Sequence, residues 1–394
     1  MVGLRTQFVH LYVKDNTEEP GGKFEDYGIY TQVEQLNKTA LKSHGLDSNG
    51  QLYKINSFEF YRYEDIIKKE DDAGYDKTAF EKMLEIKGDS DHTKLIDMLT
   101  DLNDYSIGIE DVLKEHFDEE NIVYWMAFQI LMGNVDTQNR NVYLYSPLNS
   151  DIWYFIAWDN DGCLMRPEYE LRNFSDQNSW EKGISNYWGN ILFQRCLKSR
   201  SFREKLNDAI LDLREYLNKD MLTSKIESYK NVLKPYLYLM PDAEYEPLTS
   251  EQYDQIAASL PDEIEKNYQL YLESLETPMP FYIGVPTIDG DKLKFNWDVS
   301  YDLDAEDITY SVEVARDYLF RDVIYQNTTL TVPEAEMDLP KAGQYFVRVR
   351  ATNTSGKTQD AFDYYVTDEG KYYGMRCFYI TEDSTVEEDD YEEG

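Results

Sequence analysis

Apolar and polar residues alternate at the start of this chain, repeat every three or four residues through its middle, and alternate again towards its end. Segments 6–14 (QFVHLYVKD) and 27–34 (YGIYTQVE) have the period of two expected of half-buried strands, with a turn containing Pro20, Gly21 and Gly22 between them. Segments 51–56 and 58–63 read as further short strands, and a helix is expected around 77–86 within a charged loop region. The spacing from His92 to Leu102 predicts a second helix. Residues 118–132 (DEENIVYWMAFQILM) begin with acidic residues suited to a helix N-terminus and continue as an almost wholly apolar, buried helix. That helix delivers the chain to Gly133. Strands at 142–146 and 152–157 follow as a hairpin.

From about 176 to 276 the pattern is helical: Phe193, Leu197, Phe202, Leu206, Ile210 and Leu213 recur at three or four residues, with a break at Pro235 and Pro241. Thr277-Pro278-Met279-Pro280 reads as a linker. Beyond it Leu293, Phe295 and Trp297 alternate with polar residues, as do Tyr310, Val312 and Val314, and Tyr345, Val347 and Val349. Turn residues between these runs predict an antiparallel sandwich over 281–368. The end of the chain, 369–394, is expected to hold one strand and an acidic, disordered tail.

Composition changes this picture in three ways. The 394 residues carry a formal net charge of −37, which excludes nucleic acid as the main partner, because such binding needs patches of Lys and Arg. With 42% hydrophobic residues and 34 Tyr the chain is nonetheless a folded protein. Three Cys (163, 196 and 377) and four scattered His supply neither a disulfide framework nor zinc-ligand spacing. No apolar run reaches the roughly 18 residues needed to span a membrane.

Chemistry concentrates at Gly133-Asn134-Val135-Asp136-Thr137-Gln138-Asn139-Arg140-Asn141, followed after the hairpin by Trp158-Asp159-Asn160-Asp161-Gly162. Asp136 and Asn141 stand five residues apart, the separation found in the catalytic loop of protein kinases, where Asp serves the acceptor hydroxyl and Asn binds metal. Asp159 follows a strand, as the kinase metal-binding Asp does. A carboxylate near the attacking hydroxyl and hard oxygen ligands for Mg²⁺ are what phosphoryl transfer requires. The competing reading of each residue is structural: a polar turn capping the helix before Gly133, a turn carboxylate at Asp159, and a strand-edge lysine at Lys54.

These segments together resemble the CotH-type (spore coat protein H) kinase family. The resemblance rests on the Gly-Asn-x-Asp-x₄-Asn run ending in Tyr143-Leu144-Tyr145, the Trp153-to-Asp159 strand, the Gly28-to-Gln35 strand, and Leu52-Tyr53-Lys54, and it covers roughly residues 5–275. It implies an atypical protein kinase fold that moves a phosphoryl group from ATP, with Mg²⁺ or Mn²⁺, to Ser, Thr or Tyr hydroxyls of a secreted or surface protein. Carried onto this chain, Asp136 would orient or deprotonate the acceptor, Asn141 and Asp159 would bind metal, and Lys54 would contact the ATP phosphates. Asp161 is either a second metal ligand or a shaper of the turn before Gly162. Glu34 is either the partner of Lys54 or a strand-end surface charge, and Trp158 is a ring for the nucleotide pocket or part of the core. The family's domain begins upstream of Met1, so the N-terminal lobe is expected to be incomplete. The β-rich segment resembles a fibronectin type III-like domain, which implies a spacer or a weak adhesion module for a surface protein or glycan.

The resulting expectation is an α+β chain: a kinase-like domain over 1–276, a linker at 277–280, an immunoglobulin-like or fibronectin III sandwich over 281–368, and the tail. The expected location is extracellular or at the cell surface, with the spore coat included. The rival expectation is a catalytically silent kinase scaffold acting as an adhesin or binding protein. A third is transfer of AMP rather than phosphate.

Overall fold

The computed structural model describes residues 2–15, 17, 22–172, 180–368 and 370–388. Pro20 and Gly21 of the first turn, and 389–394 of the acidic tail, lie outside the described residues. The chain divides into two compact units, Met1–Arg172 with Asn190–Asn267, and Asn173–Gly189 with Tyr268–Gly394.

The first unit opens with β1 (Thr6–Val13) and β2 (Glu25–Val33), an antiparallel hairpin, then α1 (Lys38–Ser43), β3 (Gln51–Ile55), α2 (Lys77–Met83) and β4 (Leu84–Ile86). Next come α3 (Thr93–Asn103), α4 (Ile109–His116), α5 (Glu119–Met132), β5 (Val142–Ser146) and β6 (Tyr154–Ala157). Helices α6 (Arg166–Leu171), α7 (Ile191–Lys198), α8 (Arg200–Tyr216), α9 (Lys219–Leu237) and α10 (Ser250–Ser259) complete its helical part, and α11 (Glu263–Leu275) begins in the first unit and ends in the second. Strands β4, β3, β5 and β6 form one antiparallel sheet in that order. The register aligns Ile55 with Val142 and Val142 with Ala157. This row decides where the site lies. Lys54 stands next to Ile55, Asn141 precedes Val142 and Trp158 follows Ala157, so three separate sequence segments end together at one edge of the sheet.

Helix α5 is buried nearly all round, with Trp125, Met126, Ala127 and Leu131 fully enclosed. Trp125 stacks on Phe193 at 5.5 Å and lies 5.1 Å from Phe155, tying the helix to α7 and β6. Each such large side chain stabilises the fold by about 1.5–3 kcal/mol through the apolar area removed from water.

Three local expectations change. Segment 58–63 is not a strand: Phe60 and Tyr63 have positive φ, and the backbone groups of 58–60 bond to Asn139, Ile191 and the Asn103 side chain instead of a neighbouring strand. Two rings from this stretch, Phe58 and Phe60, are buried, which is why it reads as apolar without being regular. The helix around 77–86 stops at Met83, where the chain turns extended to pair β4 with β3. Helix α4, which no apolar run announced, is a short amphipathic piece with acids in its first turn and bases in its last.

The second unit contains β7 (Thr287–Asp289), β8 (Lys292–Asn296), β9 (Ile308–Ala315), β10 (Val323–Leu330), β11 (Glu334–Asp338), β12 (Gly343–Asn353), β13 (Thr358–Asp360), β14 (Tyr364–Thr367), β15 (Gly370–Tyr373), β16 (Met375–Ile380) and β17 (Val386–Glu388). One sheet has the order β11-β8-β7 and another β10-β9-β12-β16-β17. Leu293, Phe295 and Trp297 from the first meet Tyr310, Val312, Val347, Val349 and Phe378 from the second in a shared core, as two stacked sheets require. The Tyr345 hydroxyl donates to the Lys341 carbonyl at 2.7 Å, the corner bond that pins the start of such a strand. The tail departs from expectation over part of its length: Val386–Glu388 is a strand paired with β16, and the Arg376 guanidinium pairs with Glu388 at 2.7 Å. A cation on the neighbouring strand offsets the local acidity that suggested disorder.

Candidate functional site

Helix α5 ends at Gly133 in the left-handed conformation, φ +62°. A side chain there is excluded twice over, by the φ and because a Cβ would lie 2.7 Å from Nδ2 of Asn267. Asn134 then caps a single 3₁₀ turn, Val135–Thr137, its side-chain oxygen accepting from the Asp136 amide at 3.3 Å. Asn134 is itself buried, and its Nδ2 donates to Oε1 of Gln129 at 3.1 Å. Gln129 passes the chain of bonds onward, its Nε2 donating to Oδ1 of Asn160 at 3.0 Å. The amides of α5, the turn and the 159–162 segment therefore form one network that fixes Asp136 against Asp159. A buried amide left without its partner costs about 1–3 kcal/mol, so the network tolerates little rearrangement.

The Asp136 carboxylate is half-exposed. Its Oδ2 accepts from Nδ2 of Asn141 at 2.7 Å and its Oδ1 faces Nε of Arg140 at 3.2 Å. That bond turns the Asn141 amide so that its own oxygen is left for a cation. Asn141 and Asp159 both hold positive φ, +58° and +54°, where non-glycine residues are uncommon. Strain of this kind is found where the surrounding structure enforces a side-chain position. Gly162 sits so close that a Cβ would lie 2.8 Å from Oδ1 of Asn134.

Electrostatics join the members of the site. Partial burial pushes the Asp159 carboxyl above its ordinary range, Asp161 pushes it further, Lys54 opposes, and Asp136 adds to the rise. Neither Asp159 nor Asp161 has an ion-pair partner among the described residues. Lys54, from β3, is likewise without one, and its ammonium stands 5.9 Å from the centre of the Trp158 ring. Burial lifts the nearby Cys163 thiol to about 12, with Asp161 adding to the rise and the Asn134 hydrogen bond opposing it, which removes that sulfur as a nucleophile. Beside these groups opens a cleft of about 750 Å³, with Trp158, Asp159 and Asp161 on one side and Leu4, Thr31 and Val33 on the other.

The structure thus brings together Asp136, Asn141, Asp159, Asp161, Lys54 and Trp158. Glu34 is placed elsewhere in the bonding pattern. Its carboxylate accepts from Nε2 of His44 at 2.7 Å, from the Arg5 amide at 3.1 Å and from the Ser43 hydroxyl at 3.3 Å, so the suggested pairing with Lys54 is not formed. The reason is geometric: α1 folds back on the end of β2 and delivers Ser43 and His44 to that carboxylate. Gln129, Asn134 and Asn160 were not singled out from the sequence. The one available signal was Gln129, a lone polar residue inside an otherwise apolar helix.

Among the described residues no three His, Cys, Asp or Glu side chains converge as a ready-made metal cluster. The donor set still suits a hard cation, because Mg²⁺ is usually held by one or two carboxylates together with substrate phosphates. Asp159, Asp161 and the Asn141 amide oxygen, left free by the bond from Nδ2 to Asp136, offer such ligands. No described helix is long and apolar enough to cross a membrane.

The family model for CotH kinase protein matches residues 1–271, more than half of the chain. No curated protein matches it.

Proposed function

The chain belongs to the CotH kinase family, and from that premise we propose that it transfers the γ-phosphoryl group of ATP, with Mg²⁺, to hydroxyls of a secreted or surface protein. The observation that carries this reading is the meeting of Lys54, Asp136, Asn141 and Asp159 at one edge of the β3–β5–β6 sheet, beside a cleft large enough for a nucleotide. Asp159 and Asn141, with Asp161 alongside, would hold the metal, which would supply charge neutralisation at the phosphates. Lys54 adds a positive charge to the same phosphates, and Trp158 offers a ring face. Asp136 accepts the hydrogen bond of the acceptor hydroxyl and orients it. The protein acts mainly through positioning and charge, as phosphoryl transfer generally demands. The β-sandwich is a fibronectin III-like spacer or adhesion module, and the working location is extracellular or at the cell surface, the spore coat included.

A second reading, a silent scaffold that binds partners at the surface, draws on one observation: both Asp136 oxygens are already engaged, by Asn141 and Arg140. Thermal unfolding with and without Mg²⁺ and ATP separates the two. A rise in melting temperature that needs both metal and nucleotide supports the kinase reading, and no rise favours the scaffold. Product mass then distinguishes phosphate from AMP on the acceptor.

A further inference from the structure

The cleft beside Asp159 has two walls of different construction. One, from Ala157 to Asp161, continues β6 of the four-stranded sheet. The other, with Leu4, Thr6, Thr31, Val33 and Gln35, belongs to the β1–β2 hairpin and the residues flanking it. That hairpin is a sheet of two strands only, and such a pair is at best marginally stable by itself in water. Away from the cleft it is held by Asp242, whose carboxylate accepts from the Ile29 amide at 3.0 Å. Phe8 and His10 add ring contacts to Tyr229 and Tyr236 of α9, at 5.8 and 5.5 Å. At the cleft end the tie is Glu34.

Glu34 stands between two residues that line the cleft, Val33 and Gln35, and Arg5 stands between two others, Leu4 and Thr6. Two bonds join the chain segments here. The Glu34 amide donates to the Arg5 carbonyl at 2.9 Å, and the Arg5 amide donates to the Glu34 carboxylate at 3.1 Å. The same carboxylate accepts from Nε2 of His44 at 2.7 Å and from the Ser43 hydroxyl at 3.3 Å, at the end of α1. Helix α1 in turn packs Ala40 and Leu41 into one cluster with Leu52, Tyr143 and Ile156, from β3, β5 and β6. A single carboxylate therefore links the hairpin wall, through α1, to the sheet that carries Lys54 and leads to Asp159. Its side chain is 16% exposed, and the bonds from His44 and the Arg5 amide hold its carboxyl below the ordinary range against the opposing effect of burial.

We infer that Glu34 is a positioning residue of the phosphoryl-transfer site: with Arg5 and His44 it fixes the hairpin wall at the width a bound nucleotide requires, without itself touching the nucleotide. This rests on the reading of the cleft as the nucleotide site. A chain whose wall moves binds nucleotide only in the fraction of its conformations that keep the wall in place, and its dissociation constant rises in inverse proportion to that fraction.

The test is calorimetric titration with ATP in the presence of Mg²⁺, for the full chain and for Glu34→Gln, His44→Ala and His44→Gln, with circular dichroism establishing that each is folded at the titration temperature. Glu34→Gln leaves one acceptor oxygen in place of two, and His44→Ala removes the donor from α1. Each is expected to weaken ATP binding about tenfold. His44→Gln, whose amide replaces the Nε2 donor, is expected to restore near-native affinity, which a general loss of stability would not explain. Hydrogen exchange without nucleotide is expected to quicken at residues 4–6 and 31–35 in the two weakened variants and to stay unchanged in α5. Should Glu34→Gln fail to fold, the two His44 variants carry the test. Native ATP affinity in both Glu34→Gln and His44→Ala, or an affinity in His44→Gln as weak as that of His44→Ala, would overturn the inference and leave the nucleotide reading standing. Absence of Mg²⁺-dependent ATP binding by the native chain would overturn that reading, and the positioning role with it.

Discussion

The two ends of this molecule handle charge in opposite ways. In the sandwich, several surface carboxylates are matched across or along strands: Lys292 with Asp338 at 2.6 Å, Lys294 with Asp289, Arg350 with Asp360 at 2.7 Å. Along β8 and β12 the backbone is regular and the side chains alternate in and out. At the edge of the β3–β5–β6 sheet the opposite holds. Asp159 and Asp161 are unpaired among the described residues, Asn141 and Asp159 are in left-handed backbone conformations, and polar amides lie buried beneath them. A protein keeps like charges together and backbone strained only where the rest of the fold enforces it, so the contrast supports the sheet edge as the proposed site.

The largest effect that sharpens this contrast is expected from Asp159→Ala, which should abolish metal-dependent ATP binding while the helical content by circular dichroism stays unchanged. Trp297→Ala should act in the reverse sense. Emptying the sandwich core costs about 3–5 kcal/mol, read as faster hydrogen exchange in β8 and β9, with ATP binding retained. Asn134→Ala removes the link between Gln129 and the Asp136 turn and should cost about 1–3 kcal/mol in urea unfolding, with a loss of activity larger than the loss of folded protein explains. A smaller signature lies in pH. Because the folded-state carboxyl of Asp159 is raised above its unfolded value, its stabilising contribution is present at low pH and is lost as pH rises through the folded pKa. Asp159→Asn should flatten that slope in metal-free urea titrations, and an unchanged slope would show that the carboxylate is not under the strain its neighbours imply. The smallest effect belongs to the sandwich surface: Lys294→Ala should change stability by no more than about 1 kcal/mol.

The sandwich was legible because alternation is a direct imprint of a sheet with one face buried, and Leu293, Phe295 and Trp297 are inside where the pattern puts them. The clustering of the candidate site residues was legible for a different reason. Asp136, Asn141 and Asp159 are bound to short-range order by the helix, turn and hairpin that carry them. What escaped was whatever depended on distant partners. Segment 58–60 looks like a strand because Phe58 and Phe60 are apolar, but its backbone is satisfied by Asn139, Asn103 and Ile191, from parts of the chain no local pattern connects. Glu34 has the sequence position of a strand-end acid, and only the fold of α1 reveals that His44 and Ser43 engage it. The Gln129–Asn134–Asn160 network, likewise, is spread over three segments. Its members carry no spacing signal, since amide networks are specified by geometry in space.

The measurement that tests the central claim most directly is transfer of label from γ-labelled ATP with Mg²⁺ to a generic basic or acidic acceptor protein, by the full chain and by Asp136→Ala side by side. The account predicts transfer by the native chain and a loss of about a hundredfold or more in the variant, the usual scale for removing a positioned acid–base group. Equal transfer by both chains would contradict it.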